Sequence, residues 1–179
     1  MDHLWSPWRL EYVIGPKAKT GCIFCLPADA SAASGAGAAA NDAVRSSVSD
    51  SLVVFEGRAC YVILNRYPYN NGHVMVVPHR HESTLAGLSA DEMNELGRLT
   101  QLSELALREA YRLDGINVGV NLGRDAGAGI VEHVHVHLVP RWNGDTNFMT
   151  TVAETRVLPE KLGDTAARLR EIFDRLARG

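Results

Sequence analysis

Residues 133–137 read His-Val-His-Val-His, and this run carries most of the chemistry visible in the chain. In an extended strand successive side chains point to opposite faces, so His133, His135 and His137 would share one face and Val134 and Val136 the other. Clustered imidazoles bind metals, attack electrophilic centres or move protons. A lone histidine on a sheet needs no such explanation. Three at a spacing of two crowd titratable rings, a cost that argues for a function. Leu138-Val139-Pro140-Arg141-Trp142 follows, and the proline, unable to donate to a central ladder, is expected to mark the strand's end or edge.

A second set of candidate ligands lies upstream. Gly21-Cys22-Ile23-Phe24-Cys25 has the C-x-x-C spacing of a zinc knuckle, and Pro78-His79-Arg80-His81 supplies histidines. A tetrahedral site needs four such ligands, and Cys22, Cys25, His81 and His133 would complete one. His79 stands two positions before His81, and spacing leaves the choice between them open. A redox dithiol would open a helix after a strand, whereas this pair is followed by Leu26-Pro27. The three cysteines are an odd count, which argues against a disulfide framework, and Cys60 in Ala59-Cys60-Tyr61-Val62 reads as a buried apolar residue.

Two loops complete the inventory. Asn65 ends the apolar run Tyr61-Val62-Ile63-Leu64. Its carboxamide suits either vicinal hydroxyls or the initiation of the turn that follows. Asn121-Leu122-Gly123-Arg124-Asp125-Ala126-Gly127-Ala128-Gly129 precedes the histidines, and its glycines permit the close backbone approach that lets amides converge on an anion.

His133 to Val139 resembles the signature of the histidine-triad (HIT) superfamily of nucleotide hydrolases and transferases. Leu64 to Pro78 is similar to that family's nucleoside-binding strand, turn and return strand, and Asn117 to Gly123 to the strand before the triad. The resemblance spans roughly residues 52 to 148. Leu4-Trp5-Ser6-Pro7-Trp8-Arg9, Asn65 to Val77 and Pro140 to Phe148 look like the bacterial diadenosine tetraphosphate phosphorylase branch, in which phosphate takes the nucleotidyl group.

The resemblance implies roles. His135 would be the nucleophile, forming a covalent nucleotidyl-histidine, and His137 would contact phosphate oxygens or the leaving group. Asn65 would hold the ribose, and Asn121 and Gly129 would border the phosphate loop. Trp142 would either stack on a base at the entrance or serve as a packing or interface anchor. His133 would join Cys22, Cys25 and His81 around a structural zinc. The family usually carries Ser, Thr or Gln late in the loop, but Ala128-Gly129-Ile130 supplies none, so phosphate contacts there would come from backbone amides. A nucleoside phosphoramidate or nucleotide-conjugate hydrolase, and a non-enzymatic nucleotide-binding sensor, are the alternatives.

These residues need elements to hold them. Valine- and isoleucine-rich runs at 52–56, 60–65, 73–78, 116–121 and 133–139 predict five strands. Ser89, with Glu92 three residues on, predicts a capped helix running through Met93, Leu96, Leu99, Leu102 and Leu105 to about Arg112. A second helix over about 159–178 carries Leu162, Leu169, Ile172, Phe173 and Leu176. The pattern is α+β with an antiparallel sheet. The resemblance adds a homodimer in which two sheets join.

The 179 residues, 46% hydrophobic, suffice for one domain with a real core. Residues 27–50, rich in alanine, serine and glycine, are expected to form a disordered insertion. A net charge of −3 gives no basic footprint for a nucleic-acid partner, yet a site for small nucleotides and inorganic phosphate remains compatible with it. No apolar run approaches the ~20 residues of a membrane span, and the absence of a signal-like segment points to the cytoplasm.

Overall fold

The computed structural model describes residues 21–25, 52–145 and 160–178. Trp5, Trp8 and the 27–50 segment lie outside them. Five strands, β1 (Val53–Glu56), β2 (Cys60–Leu64), β3 (Val74–Pro78), β4 (Gly115–Val120) and β5 (Val136–Arg141), form one antiparallel sheet in the order β1-β2-β3-β5-β4. Helices α1 (Ala90–Ala110) and α2 (Leu162–Leu176) pack together on one face. This is the α+β antiparallel architecture read from the sequence.

Alternation along the strands gives the sheet two different faces. Val62, Leu64, Val74, Val76, Val136 and Leu138 join Leu96, Leu99, Leu107, Leu169 and Phe173 in the main core beneath the helices. Tyr61, Ile63, Met75 and Val77 point the other way and pack with Phe24. That second face has no helix over it among the described elements, and it carries the histidines.

Ser89 caps α1 as predicted: its hydroxyl accepts from the Glu92 amide, and the Glu92 carboxylate accepts from the Ser89 amide. The apolar stripe divides between core and surface. Leu96, Leu99 and Leu102 are buried, whereas Met93 is 39% and Leu105 51% exposed. Residues three apart lag by about 60° per step on a helix of 3.6 residues per turn, so a five-member stripe drifts off the core face. Ser103, Ala106 and Leu107 fill the core side instead.

Two strand expectations are also corrected. The last strand begins at Val136, not His133, and continues through Pro140 to Arg141. Pro140 is tolerated because the β3 ladder stops at the Val74–Leu138 pair, leaving only Ile116 of β4 opposite the proline. The Asn70 side-chain Nδ2 donates to the Pro140 carbonyl on the vacated side, 3.0 Å away.

The β2–β3 turn, which delivers Asn65 and His73 to the histidine face, depends on Gly72. Its φ is +74°, and an added Cβ would lie 2.7 Å from Cε2 of Tyr111. Gly72→Ala is therefore expected to destabilise the fold by about 2 kcal/mol, read as a lowered midpoint in urea unfolding at unchanged slope.

Candidate active site and metal centre

His135 is buried just before β5, and its surroundings fix its protonation. Its Nδ1 lies 2.8 Å from the backbone carbonyl oxygen of His133. A carbonyl oxygen only accepts, so Nδ1 carries the proton and Nε2 holds the lone pair. Burial holds the imidazole pKa below its usual 6.5, against an opposing contribution from that hydrogen bond, which keeps the ring neutral near pH 7. The Phe24 ring packs on it at 4.9 Å between centroids, and His137 meets it edge to face at 4.7 Å.

His137 lies within β5, opposite Met75 on one side and Gly119 on the other. His73, buried at the mouth of β3, reaches it: His73 Nε2 is 3.0 Å from His137 Nδ1. Sequence reasoning missed His73. Its signal was parity, because His73, Met75 and Val77 alternate onto the face shared by Tyr61, Ile63 and Asn65. Phe24 was missed as well. It sits between the two cysteines and touches both the His133 and the His135 rings, while the Tyr61 hydroxyl donates to its carbonyl at 2.6 Å.

His133 turns away from the other two members of the triad. Because it precedes the ladder in a bend, strand alternation does not govern it, and its ring enters the cysteine cluster. Its Nδ1 lies 3.3 Å from Cys22 Sγ and 3.8 Å from Cys25 Sγ, and His81 Nδ1 lies 3.3 Å from Cys25 Sγ. One ligand atom from each of Cys22, Cys25, His81 and His133 falls within 4.8 Å of all the others. Zinc bonds of ordinary length at a tetrahedral angle put sulfur and nitrogen about 3.5 Å apart, so the donor set fits such an ion. His133 Nε2–H donates to the Pro78 carbonyl at 2.9 Å, which leaves Nδ1 unprotonated toward the cluster. Burial first, then the charge of and hydrogen bond to the neighbouring Cys22, push the Cys25 thiol up to about 11, and a bound metal would displace that proton.

His79 lies outside this cluster. Its Nε2 donates to the Gly57 carbonyl at 3.1 Å, and its ring stacks on Tyr61.

The remaining candidates divide. Asn65 continues the face of Tyr61 and Ile63 and is paired with His73 through its backbone amide, but its Oδ1 accepts from the Tyr67 amide at 2.9 Å. The turn-initiating role is thus present in the structure, and the Nδ2 group is the donor left for a substrate. Asn121 follows Val120, which pairs with Val136, so it sits at the same end of the sheet as His135. Within the glycine loop the amides of Gly127 and Ala128 bond to the carbonyls of Arg124 and Gly123. Those two are engaged within the loop, and Ile130, next to Gly129, packs against the Phe24 cluster.

Trp142 is not brought to the histidines. It follows the opposite end of β5, roughly 20 Å of extended chain from His135, and its indole donates to the Arg112 carbonyl at 2.9 Å with Tyr111 against it. The packing alternative describes it.

Comparison with known proteins decides the kinship. The HIT domain profile matches residues 46–144. The chain belongs to the HIT family. This HIT protein is 38% identical over 165 residues to AP-4-A phosphorylase of Mycobacterium tuberculosis, across 92% of its own length and 80% of that relative's. It superposes on a Zn-bound histidine triad family protein from Mycobacterium smegmatis with a TM-score of 0.58 at 26% identity, over 71% of this chain and 86% of the other. A histidine triad nucleotide-binding protein from Sulfolobus tokodaii gives 0.60 at 30% identity over the same shares. The resemblance to the phosphorylase branch is thereby borne out. With its triad intact, the HIT protein is an enzyme, a nucleotide phosphorylase or hydrolase. Among the described residues no helix is long and apolar enough to cross a membrane.

Proposed function

We propose that this HIT enzyme cleaves dinucleoside polyphosphates, diadenosine tetraphosphate above all, through a covalent nucleotidyl-His135, with inorganic phosphate as the acceptor. The observation that carries the reading is the His133 carbonyl at His135 Nδ1, which leaves a neutral Nε2 lone pair in a ring covered by Phe24. Nε2 attacks the α-phosphorus, the bond to the bridging oxygen breaks and ATP leaves with that oxygen. A phosphate oxygen then attacks the same phosphorus, the P–N bond breaks, and ADP departs with His135 restored. His137 contacts the phosphate oxygens, and Asn65 Nδ2 and the backbone from Gly129 onward hold ribose and phosphate.

Similarity to the mycobacterial phosphorylase across most of both chains supports the choice of substrate and acceptor. Zinc is our assignment for the cysteine–histidine cluster; bound there, it would staple the Cys22–Cys25 hairpin to the sheet and take no part in the phosphoryl chemistry. A cytoplasmic setting is part of this reading, and three cysteines that form no disulfide are compatible with it. A homodimer is part of this reading, and the unpaired outer edge of β4, with Val118 53% exposed and Leu122 just beyond it 44% exposed, supports it.

Product analysis tests the reading. Purified protein is incubated with diadenosine tetraphosphate, with and without phosphate, and the nucleotides are separated by ion exchange. ADP and ATP formed only with phosphate support it; AMP and ATP formed regardless assign water as acceptor, and no cleavage overturns the substrate assignment.

The buried nucleophile also sets a pH dependence. Burial lowers the pKa of His135, so the attacking neutral form persists below the usual 6.5. The acid limb of kcat/KM is expected to fall only below pH 6.5, with a rate that is flat from there to neutrality. The same shift gives stability its sign: the unfolded chain protonates first, so the contribution is present above pH 6.5 and lost as pH falls toward the folded-state pKa. A midpoint of the acid limb at or above 7 would contradict the assignment of the base-free nucleophile.

A further inference from the structure

Cys22 and Cys25 carry nucleophilic sulfur to which the phosphoryl chemistry gives no task, and their surroundings differ from those of the third cysteine. Cys60 is fully buried in the main core, and burial, ahead of the Glu95 and Glu92 carboxylates, pushes its thiol up to about 12. Cys25 is exposed and Cys22 half-buried. A turn joins the two, in which the Cys25 amide donates to the Cys22 carbonyl at 3.2 Å. Such a turn holds its end Cα atoms within about 7 Å, near the separation that a disulfide spans. The two sulfur atoms lie within 4.8 Å of each other, among the four ligand atoms of the cluster. The Phe24 amide donates to Cys22 Sγ at 3.4 Å, a contact that favours sulfur as a thiolate.

We propose that Cys22 and Cys25 are a site of reversible oxidation by hydroperoxides, at which disulfide formation dismantles the metal cluster and loosens the nucleophile. The inference rests on the metal assigned to the cluster above. The exposed Cys25 thiolate attacks the terminal oxygen of the hydroperoxide, the O–O bond breaks, the alkoxide leaves and takes a proton, and Cys25 becomes a sulfenic acid. The Cys22 thiolate then attacks that sulfur, the S–O bond breaks, and hydroxide leaves and takes a proton. The cysteine pair gives up two electrons, and the hydroperoxide ends as an alcohol and water. With the sulfurs bonded to each other the cluster keeps two ligands, His81 and His133, fewer than a structural zinc site uses. His133 links this loss to the chemistry. Its ring faces both sulfurs, at 3.3 and 3.8 Å, and its carbonyl holds His135 Nδ1 at 2.8 Å. The Phe24 ring, between the two cysteines, lies against His135 at 4.9 Å. Both contacts of the nucleophile therefore depend on the hairpin that oxidation reshapes.

The test uses the full chain loaded with zinc and treated with tert-butyl hydroperoxide. Released metal is read with a chromophoric chelator, the disulfide by peptide mass mapping, and turnover with diadenosine tetraphosphate and phosphate; the first two readouts do not depend on which substrate is cleaved. One disulfide joining Cys22 and Cys25 is expected, with one zinc ion released for each. Turnover is expected to fall about 10- to 100-fold, the loss that follows removal of a group orienting a working histidine. A dithiol reductant with added zinc should restore all three. Treated protein that keeps its metal and both thiols overturns the proposal, as does oxidation to sulfinic acid with no disulfide. A disulfide formed at undiminished turnover overturns the coupling to His135. A chain that takes up no zinc overturns the metal assignment and the proposal together, and that result is seen before any peroxide is added. Cys25→His offers an imidazole where the thiolate stood and leaves Cys22 without a partner, so it is expected to keep its metal under the same treatment. Metal loss from it as fast as from wild type overturns the disulfide step. If Cys25→His takes up no zinc, the wild-type peptide map and the ratio of metal released to disulfide formed decide alone.

Discussion

Replacing His135 by glycine is expected to lower kcat by about 10⁴-fold or more, because a missing nucleophile removes the whole two-step path and not one contact along it. The loss should be confined to chemistry. Asn65, the glycine loop and His137 are carried by other elements, and Val136, whose pairing with Val76 and Val120 opens β5, is untouched. Nucleotide affinity, measured by calorimetry with a non-cleavable analogue, is expected to stay within a few-fold of wild type. His137→Ala should fall less steeply, since it removes a charge-stabilising contact while leaving the attacking atom. Comparable turnover in His135→Gly and wild type would remove His135 from the mechanism.

Cys22→Ala is expected to have the second largest effect, and on a different quantity. The hairpin at 21–25 joins the sheet through the Cys22–His133 and Cys25–His81 contacts, the Phe24 ring and the Tyr61 hydroxyl. Structural zinc contributes folding free energy directly. Losing one ligand of four should reduce metal content from one equivalent to nearly none and cost several kcal/mol, a fall in Tm of about 10 °C for a chain of this size. Turnover should fall as well, since the same residue, His133, gives its ring to the cluster and its carbonyl to His135. The checks are metal analysis after extensive dialysis and a thermal melt with and without chelator. A Cys22→Ala protein that keeps a full equivalent of metal would refute the ligand set, and a chelator-insensitive melt in the wild type would refute the stabilising role.

Much of this molecule is legible in its sequence, for identifiable reasons. Strand alternation and the Ser89–Glu92 capping box are local patterns, and local patterns gave β1 to β5 and the start of α1 to within a few residues. The C-x-x-C spacing with His133 and a histidine at 79 or 81 is legible because a tetrahedral site takes few kinds of ligand. What escaped depends on pairing across the sheet. The choice of His81 over His79 follows from the end of the β3 ladder, where His79 is held by Gly57. The bond of Trp142 to the Arg112 carbonyl joins residues 30 apart in the chain and is invisible before the fold is known. His73 was in plain view within Asn71-Gly72-His73, but its value lies in a contact 64 residues away in the chain. Asn65 shows the reverse case, a residue whose local turn bond was the simpler reading and is present in the structure.

The most direct test of the central claim is to catch the nucleotidyl group on His135. The protein is mixed with diadenosine tetraphosphate in the absence of phosphate, quenched in alkali within a turnover, where phosphorus–nitrogen bonds of histidine survive, and digested for peptide mass analysis. The account predicts one adenylyl group on the peptide that contains His135, present in wild type, absent in His135→Gly and discharged to ADP when phosphate is added. Product formation with no adenylyl-enzyme at any quench time, or an adenylyl group on a peptide lacking His135, would contradict it.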